Sequence, residues 1–136
     1  MKDSLVLTQA HWRAMRRHVA RHAPEEACGL LAGNGARVEL VIGVPNSLRS
    51  PVRFRMEPRA QWRAFQRLEA KGLELIGIYH SHPNGPDHPS PTDIAENMYP
   101  VVSIIWYLAG DAWAARGFWI ESGKLSEVAL EVTPAG

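Results

Sequence analysis

"IYHSHPNGPDHPSPTD" (residues 78–93) joins the end of an apolar run to a loop rich in proline and histidine. The residues before it are almost continuously apolar, which is typical of a buried strand. His80 and His82 stand two residues apart where that strand ends, so both side chains project from one face and can approach one metal ion. Pro83, followed two and three residues later by glycine and proline, then directs the chain out of the sheet.

Asp93 closes the quoted stretch and is the third candidate ligand. Two histidines and one carboxylate form a three-ligand tetrahedral zinc site whose fourth position is left for water, and such open sites are the catalytic kind. The segment also has the pattern of a helix start, with Ser90 as the N-cap, Pro91 at the first helical position and Asp93 three residues after the cap. Alone, Ser-x-x-Asp is typical of capping, and only its combination with the two histidines favours a metal site.

Composition limits the classes of protein to consider. The 136 residues, 46% of them hydrophobic, suffice for one domain whose core needs neither a disulfide nor a structural metal, and we predict a single domain over residues 1–136. Fifteen lysines and arginines against fourteen aspartates and glutamates give a net charge of +1, which indicates neither a nucleic acid nor a membrane surface as partner. The apolar run near the N-terminus covers only residues 5–7, too few for a signal peptide or a membrane-spanning helix.

Cys28 is the only cysteine of the chain. A single cysteine excludes an internal disulfide and any CxxC metal site, and it favours a reducing, cytoplasmic compartment. Because Cys28 lies in an apolar run beside Gly29 and Leu30, we predict a small buried side chain rather than a thiol nucleophile.

Hydrophobic periodicity predicts secondary-structure elements in the order βαβββαβ(α)βββ. The predicted strands cover residues 4–7, 25–33, 36–44, 52–57, 73–81, 101–108, 113–120 and 125–132. Helices are predicted over residues 9–22, 58–72 and 91–97, the first of them capped by Thr8. A Gly-Asn-Gly turn at residues 33–35 is predicted to join two of the strands as a hairpin. This order predicts an α/β fold with a mixed sheet flanked by helices.

Each of the two long helices is predicted to bury one face. The residues assigned to these faces are Trp12, Met15 and Val19 in the first helix and Trp62, Phe65 and Leu68 in the second. His18 and His22 have the i, i+4 spacing of helical metal ligands, but Val19 stands where a metalloprotease of that type has its glutamate. We therefore predict that both histidines are half-buried or solvated, and that His88, in the polar loop, is solvated as well.

The complete pattern resembles a known signature. His80-Ser-His82, followed after seven residues that begin with Pro83 by Ser90-x-x-Asp93, resembles the motif of the JAMM (MPN+) zinc metalloproteases. The resemblance extends from the first helix to about residue 120 and implies the fold of MPN/JAMM proteins, a single-domain, cytidine-deaminase-like mixed sheet flanked by helices. It also implies one Zn2+ per chain, held by His80, His82 and Asp93.

Upstream, EACGLLAG at residues 26–33 is similar to the family segment in which a glutamate stands two residues before a Cys-Gly pair. This match selects Glu26 rather than Glu25. The resemblance implies that Glu26 is the general base, which takes a proton from the attacking water and returns it to the leaving amine. It implies that Ser90 donates a hydrogen bond to the oxyanion that forms during hydrolysis.

The resemblance further implies a peptidase or isopeptidase that cuts after the C-terminal Gly-Gly of a ubiquitin-like β-grasp or sulfur-carrier protein. The segments PEEACGLLAG, PNSLRSPVRFRM and IYHSH are similar to bacterial stand-alone family members that release cysteine from a sulfur carrier. Pro83 is nearer the general signature of the family, so free cysteine and a lysine side chain both stay open as leaving groups.

Two other functions compete with this one. A catalytically silent MPN scaffold would only bind partner proteins, but such domains typically lose one or more ligands, and every ligand position of the pattern is filled here. A zinc hydrolase of small molecules would have the same residues, because the site by itself does not name the substrate.

Overall fold

The computed structural model describes residues 2–134, and the predicted domain of residues 1–136 extends beyond them at both ends. The strands of this part of the chain are β1 (Ser4–Thr8), β2 (Cys28–Asn34), β3 (Arg37–Val44), β4 (Glu74–His82), β5 (Val102–Ala109), β6 (Ala112–Glu121) and β7 (Lys124–Thr133). Its helices are α1 (Gln9–His22), α2 (Pro58–Ala70) and α3 (Pro91–Ala95). Within the described residues, none of these helices combines the length and the apolar character that crossing a membrane requires.

The strands form one mixed sheet that closes on itself in the order β1-β3-β2-β4-β5-β6-β7. β1 runs parallel to β3 and β7, and β4 runs parallel to β5. Parallel neighbours need a crossover connection, because a hairpin cannot join two strands that run the same way. Between β4 and β5 this crossover is the histidine-rich loop followed by α3. The predicted mixed sheet flanked by helices is confirmed, and its closure is a feature that the sequence did not indicate.

β4 separates two packed clusters, because successive side chains of a strand point to opposite faces. Tyr79 is fully buried in the larger cluster, together with Met15 and Val19 of α1. His80 points the other way and stacks on Phe54, which packs against the smaller cluster beside α2. The end of β4 therefore places His80 and His82 on the face of the sheet that packs towards α2.

Local sequence signals determine the turn and the cap that precede this region. Asn34 of β2 lies opposite Arg37 of β3, and Gly35 between them has a φ of 61°, so the predicted hairpin forms, but its turn is Gly35 and Ala36 rather than residues 33–35. Thr8 caps α1 as predicted: its hydroxyl accepts a hydrogen bond from the His11 N–H at 3.2 Å, and His11 Nδ1 accepts one from the Thr8 N–H at 3.1 Å.

The predicted strand over residues 52–57 is wrong. Residues 45–57 form an irregular segment that contains one isolated bridge, between Asn46 and Met56. The Asn46 side chain donates to the carbonyl oxygens of Glu26 and Arg53 and accepts from the N–H groups of Leu48 and Arg55. Because one amide satisfies these backbone groups, the segment folds around it and does not need a neighbouring strand.

The buried face of α2 also differs from the prediction at one residue. The Trp62 side chain is 62% exposed, whereas Ala64 and Leu68 are buried and Phe65 is half-buried. Trp62 is two residues from Ala64, and two residues correspond to about 200° around a helix, so the two side chains lie on opposite sides. The small alanine allows α2 to approach the sheet closely, and the tryptophan is left on the outer surface.

Candidate metal centre

Three donor atoms meet at the end of β4. His80 Nε2 and His82 Nε2 are 3.1 Å apart, and Asp93 Oδ2 lies 3.2 Å from the first and 3.0 Å from the second. Tetrahedral donors about 2.0–2.1 Å from a zinc ion lie roughly 3.3–3.4 Å from one another. The three observed separations are close to that value, so these side chains fit three corners of a tetrahedral zinc site.

Asp93 reaches this position through the start of α3. The Ser90 hydroxyl accepts a hydrogen bond from the Asp93 N–H at 3.1 Å, and Asp93 Oδ2 accepts one from the Ser90 N–H at 2.8 Å. This is the capping box that the sequence predicted. The capping and metal-site interpretations of Ser-x-x-Asp are thus compatible, because the oxygen that caps α3 is the oxygen that faces the histidines.

The two imidazole rings are oriented by groups behind them. His82 Nδ1 lies 2.8 Å from the Pro86 carbonyl oxygen. A neutral His82 that donates its Nδ1–H to this oxygen presents an unprotonated Nε2 to the other donors, which is the form that binds a metal. The His80 ring stacks on Phe54, with 4.4 Å between ring centroids and 28° between ring planes.

The three donor side chains differ in the protonation states that they favour. Burial lowers the pKa of His80. Burial would raise the pKa of Asp93, but the hydrogen bonds from the two histidines outweigh it and lower that pKa. Burial would lower the pKa of His82, but Asp93 and the Pro86 carbonyl outweigh it and raise that pKa. The site therefore holds an ionised carboxylate and a neutral His80, whereas His82 favours its protonated form beside Asp93 and would release that proton when Zn2+ binds.

Glu26 lies beside these donors, two residues before the start of β2. This residue is 3% exposed, and one of its carboxylate oxygens lies within 4.8 Å of a ring nitrogen of each histidine. Oε1 has no hydrogen-bond partner among the described residues. Burial raises the pKa of Glu26 to about 8; the charge of His82 opposes this shift and that of Asp93 adds to it. Such a carboxyl can take up or release a proton near neutral pH at little cost.

Two elements hold the backbone around Glu26. The irregular segment binds it from one side, because the Glu26 N–H donates to the Ser50 carbonyl at 2.8 Å and its carbonyl accepts from Asn46 Nδ2 at 3.0 Å. β4 binds the next residue: the Ala27 N–H donates to the Ser81 hydroxyl at 2.8 Å. Ser81 lies between the two histidines in sequence, so it joins the position of Glu26 to theirs.

A groove of about 230 Å3 ends at His80 and Asp93. The irregular segment forms one wall, and α3 with the residues that follow it forms the other. Val52 and Met98, which line the groove from opposite walls, are 68% and 83% exposed. The approach to the donor atoms is therefore largely apolar.

A family model described as prokaryotic homologs of the JAB domain matches residues 8–121. The chain belongs to this JAB-domain family. The family and the fold that the sequence motif predicted are confirmed by this match, which includes the two histidines of β4, Asp93 and Glu26.

Several proteins are similar to this JAB-domain chain. A probable TtuB-protein conjugate cleaving protease of Thermus thermophilus is 43% identical over 118 residues, 86% of this chain and 75% of the relative. A desampylase of Pyrococcus furiosus is 37% identical over 134 residues, 96% of this chain and 91% of the relative. A CysO-cysteine peptidase of Mycobacterium tuberculosis is 37% identical over 83 residues, 60% of this chain and 57% of the relative. The solution structure of a Desulfitobacterium hafniense protein has a TM-score of 0.86 at 31% identity, covering 96% of this chain and 93% of that one.

The other candidate residues of the JAB-domain chain lie outside the centre, as predicted. His88 is exposed and pairs with Asp87 at 3.1 Å. His18 is half-buried, with Nδ1 2.7 Å from the Tyr79 hydroxyl, and His22 is exposed.

Cys28 is fully buried in β2. Burial, and secondarily the charge of Glu26, raises the pKa of its thiol to about 12, so the thiol stays protonated at neutral pH. The predicted role of a small buried side chain is confirmed.

Sequence reasoning missed the residues that support the centre. Phe54 lies within the segment that was predicted as a strand, and its aromatic ring gave no sign of the histidine on which it stacks. Asn46 follows a proline in a turn-like Pro-Asn-Ser sequence, so an Asx-type role could have been predicted from that signal. The carbonyl group of Pro86 has no sequence signal at all, because any residue supplies one.

Proposed function

We propose that this JAB-domain protein is a zinc-dependent peptidase that cuts after the C-terminal Gly-Gly of a ubiquitin-like or sulfur-carrier protein. One observation carries the proposal: the buried carboxyl of Glu26, whose Oε1 has no hydrogen-bond partner among the described residues, lies beside three donor atoms spaced for zinc. The names of the relatives support the substrate class, since they describe the cleavage of TtuB-protein conjugates and of CysO-cysteine.

His80, His82 and Asp93 would hold one Zn2+ per chain. When bound there, a zinc ion lowers the pKa of a water molecule towards about 7 and polarises a carbonyl oxygen. Glu26 takes the proton from the attacking water and passes it to the leaving amine. Its buried carboxyl suits this exchange because a pKa of about 8 is close to neutral pH, where a group can both accept and release a proton.

Ser90 has a second task in this proposal. Its hydroxyl oxygen accepts a hydrogen bond from the Asp93 N–H, which leaves the hydroxyl hydrogen available to another acceptor. A substrate carbonyl that approaches the donor atoms would accept this hydrogen bond, and the bond becomes stronger as negative charge develops on the oxygen.

The groove supports a substrate with an extended, unbranched end. A Gly-Gly tail has no side chains, so it can lie in an extended form between the irregular segment and the region after α3. The exposed Val52 and Met98 at the groove would contact residues further from the cleaved bond.

We propose further that one domain covers residues 1–136 and that the protein works in a reducing, cytoplasmic compartment. The family match over residues 8–121 supports the first statement, and the buried, free thiol of Cys28 supports the second.

Hydrolysis of two purified substrates tests the proposal. A β-grasp carrier ending in Gly-Gly is extended by one cysteine in the first substrate and joined to a lysine side chain in the second, and cleavage is followed by mass spectrometry. The zinc-loaded protein should cut at least one of them after the second glycine, and His82→Ala should bind no zinc and cut neither. A protein that binds zinc and the carrier but cuts neither would be a scaffold. Cleavage of small amides without cleavage of either carrier would indicate a small-molecule hydrolase.

A further inference from the structure

Arg116 lies outside the candidate metal centre and does not line the groove that leads to it. We propose that it is a positioning residue, which fixes the orientation of His82 through the loop between β4 and α3. The inference rests on the proposed function, because it takes His82 to be a zinc ligand.

Two groups fix the Arg116 guanidinium on the surface of β6. Nε and Nη2 contact the two oxygens of Glu127 on β7, at 3.1 and 2.8 Å. The central carbon lies 5.1 Å from the centroid of the Phe118 ring. A planar guanidinium held by a two-point carboxylate contact and an aromatic face has little freedom, so its remaining nitrogen, Nη1, points in a defined direction.

Nη1 binds the loop that leaves β4. It lies 2.9 Å from Asp87 Oδ2. Within the described residues, this is the ion pair that joins the loop of residues 83–90 to the sheet, since the other ion pair of the loop is internal, between Asp87 and His88. A loop without a strand or helix of its own depends on such a contact for its position.

The contact is one residue away from the group that orients His82. Asp87 follows Pro86, whose carbonyl oxygen lies 2.8 Å from His82 Nδ1. If Asp87 were free to move, the Pro86 carbonyl would move with it, and the Nδ1–H bond that fixes the tautomer and the ring orientation of His82 would weaken. Glu127, Arg116, Asp87 and the Pro86 carbonyl therefore form a continuous chain from β7 to His82.

Two single substitutions test this chain. Arg116→Gln removes the charge but keeps a polar side chain, and Asp87→Asn removes the partner charge from an exposed loop position. Removing a group that contacts a metal ligand directly lowers metal affinity by about 10–100-fold. Arg116 and Asp87 act through the Pro86 carbonyl, so we expect a smaller loss of roughly 3–10-fold. Zinc affinity, measured by competition with a chelator, should fall by this factor in each variant. The double variant should be no weaker than either single one, because both remove the same link.

A second measurement does not depend on zinc or on activity. In the zinc-free protein, 15N NMR of the imidazole reports whether His82 carries its proton on Nδ1. The wild-type protein should show a protected Nδ1–H, and both variants should show faster exchange of this proton or a mixture of tautomers. Arg116→Lys, which keeps the charge but not the planar fork, should restore part of the protection.

Arg13→Gln is the matched control, because it removes one arginine charge from an exposed position of α1, away from the loop. It should leave zinc affinity and the His82 signal unchanged. In hydrolysis, Arg116→Gln should lower kcat and leave KM unchanged, since Arg116 does not line the groove. If Arg116→Gln does not fold, Asp87→Asn supplies the same tests.

The outcomes separate this inference from the proposed function. Wild-type zinc affinity together with a wild-type Nδ1–H signal in both variants would overturn the role of Arg116 and leave the peptidase proposal standing. A wild-type protein that binds zinc but cleaves neither carrier would overturn the peptidase proposal, while the NMR comparison would still decide whether Arg116 orients His82.

Discussion

Ser90 and Asp93 cap each other across the first turn of α3, and the Asp93 oxygen that accepts the Ser90 N–H is the same oxygen that lies 3.0 Å from His82 Nε2. A structural interaction and a functional one therefore share a single atom. The backbone of α3 fixes this carboxylate before any metal arrives, which lowers the entropy lost when a metal binds. The predictions below separate the tasks of the residues around it.

Ser90→Ala should keep zinc and lose most hydrolysis. Removing a hydrogen-bond donor to an oxyanion costs about 3 kcal/mol of transition-state stabilisation, or roughly 10²-fold in kcat. Removing the N-cap hydroxyl should also cost about 1 kcal/mol in the free energy of unfolding, measured with urea on the zinc-free protein. Ser90→Thr keeps the hydroxyl and is the control. A Ser90→Ala variant with wild-type kcat would assign Ser90 to capping alone.

Glu26→Gln should keep zinc and reduce turnover. The amide has the shape of the carboxyl but cannot accept a proton, so we expect kcat to fall by at least about 10²-fold, the lower end for loss of a general base. Elemental analysis should still give one zinc per chain. Glu25→Gln, which changes the neighbouring and partly exposed residue, should have wild-type kcat. A wild-type kcat for Glu26→Gln together with a strongly reduced kcat for Glu25→Gln would instead identify Glu25 as the general base.

Removal of the metal with EDTA should abolish hydrolysis and leave the fold in place. The two hydrophobic clusters contain none of the three donor residues, so the core does not depend on an ion between them. The far-UV circular dichroism spectrum should therefore be unchanged after chelation, and zinc should restore activity. A spectrum that collapses with chelation would show that the metal is needed for folding rather than for chemistry alone.

Protonation of His18 should make the protein less stable in mild acid. Burial, followed by the charges of His22 and Arg21, lowers the pKa of His18 from 6.5 to about 4. The unfolded chain then binds a proton more readily than the folded one, so this contribution to stability is complete above about pH 6.5 and is lost as the pH falls through about 4. The loss amounts to about 2–3 kcal/mol in the free energy of unfolding.

The pH prediction is checked with His18→Gln, which cannot ionise but can still hydrogen-bond to the Tyr79 hydroxyl. Urea unfolding of both zinc-free proteins at pH 7.5 and pH 4.5 should give a wild-type free energy that falls more steeply than that of the variant. Parallel decreases in the two proteins would show that His18 does not carry this dependence.

The sequence correctly predicted features that depend only on residues close to one another along the chain. The spacing of His80 and His82 on a strand, the Thr8 cap and the Ser90 capping box are all local, and each is present as predicted. The alternation of apolar and polar residues over 52–57 wrongly predicted a strand. Phe54 and Met56 do pack inward, but the Asn46 side chain takes the place of the partner strand.

Long-range features were beyond the reach of pattern reasoning. Trp62 was assigned to the buried face because it is apolar. The α2 residues Ala60 and Ala64 pack in the smaller cluster instead, and Trp62 is exposed. Arg116 and Asp87 are 29 positions apart, and nothing in either sequence neighbourhood indicates that they pair. The closure of the sheet likewise depends on β1 and β7, from opposite ends of the chain.

That closure has a consequence for self-association. An edge strand presents unpaired N–H and C=O groups that can recruit another copy of the chain and start aggregation. Every described strand has a neighbour on both sides, so edge groups are left without a strand partner chiefly where β1 meets β3, even though Val52, Trp62 and Met98 are exposed on the surface. The least protected seam is between β1 and β3, which pair at the single position Val6–Arg37, whereas β1 and β7 pair at five. Misassembly between copies would therefore have to begin by opening that seam.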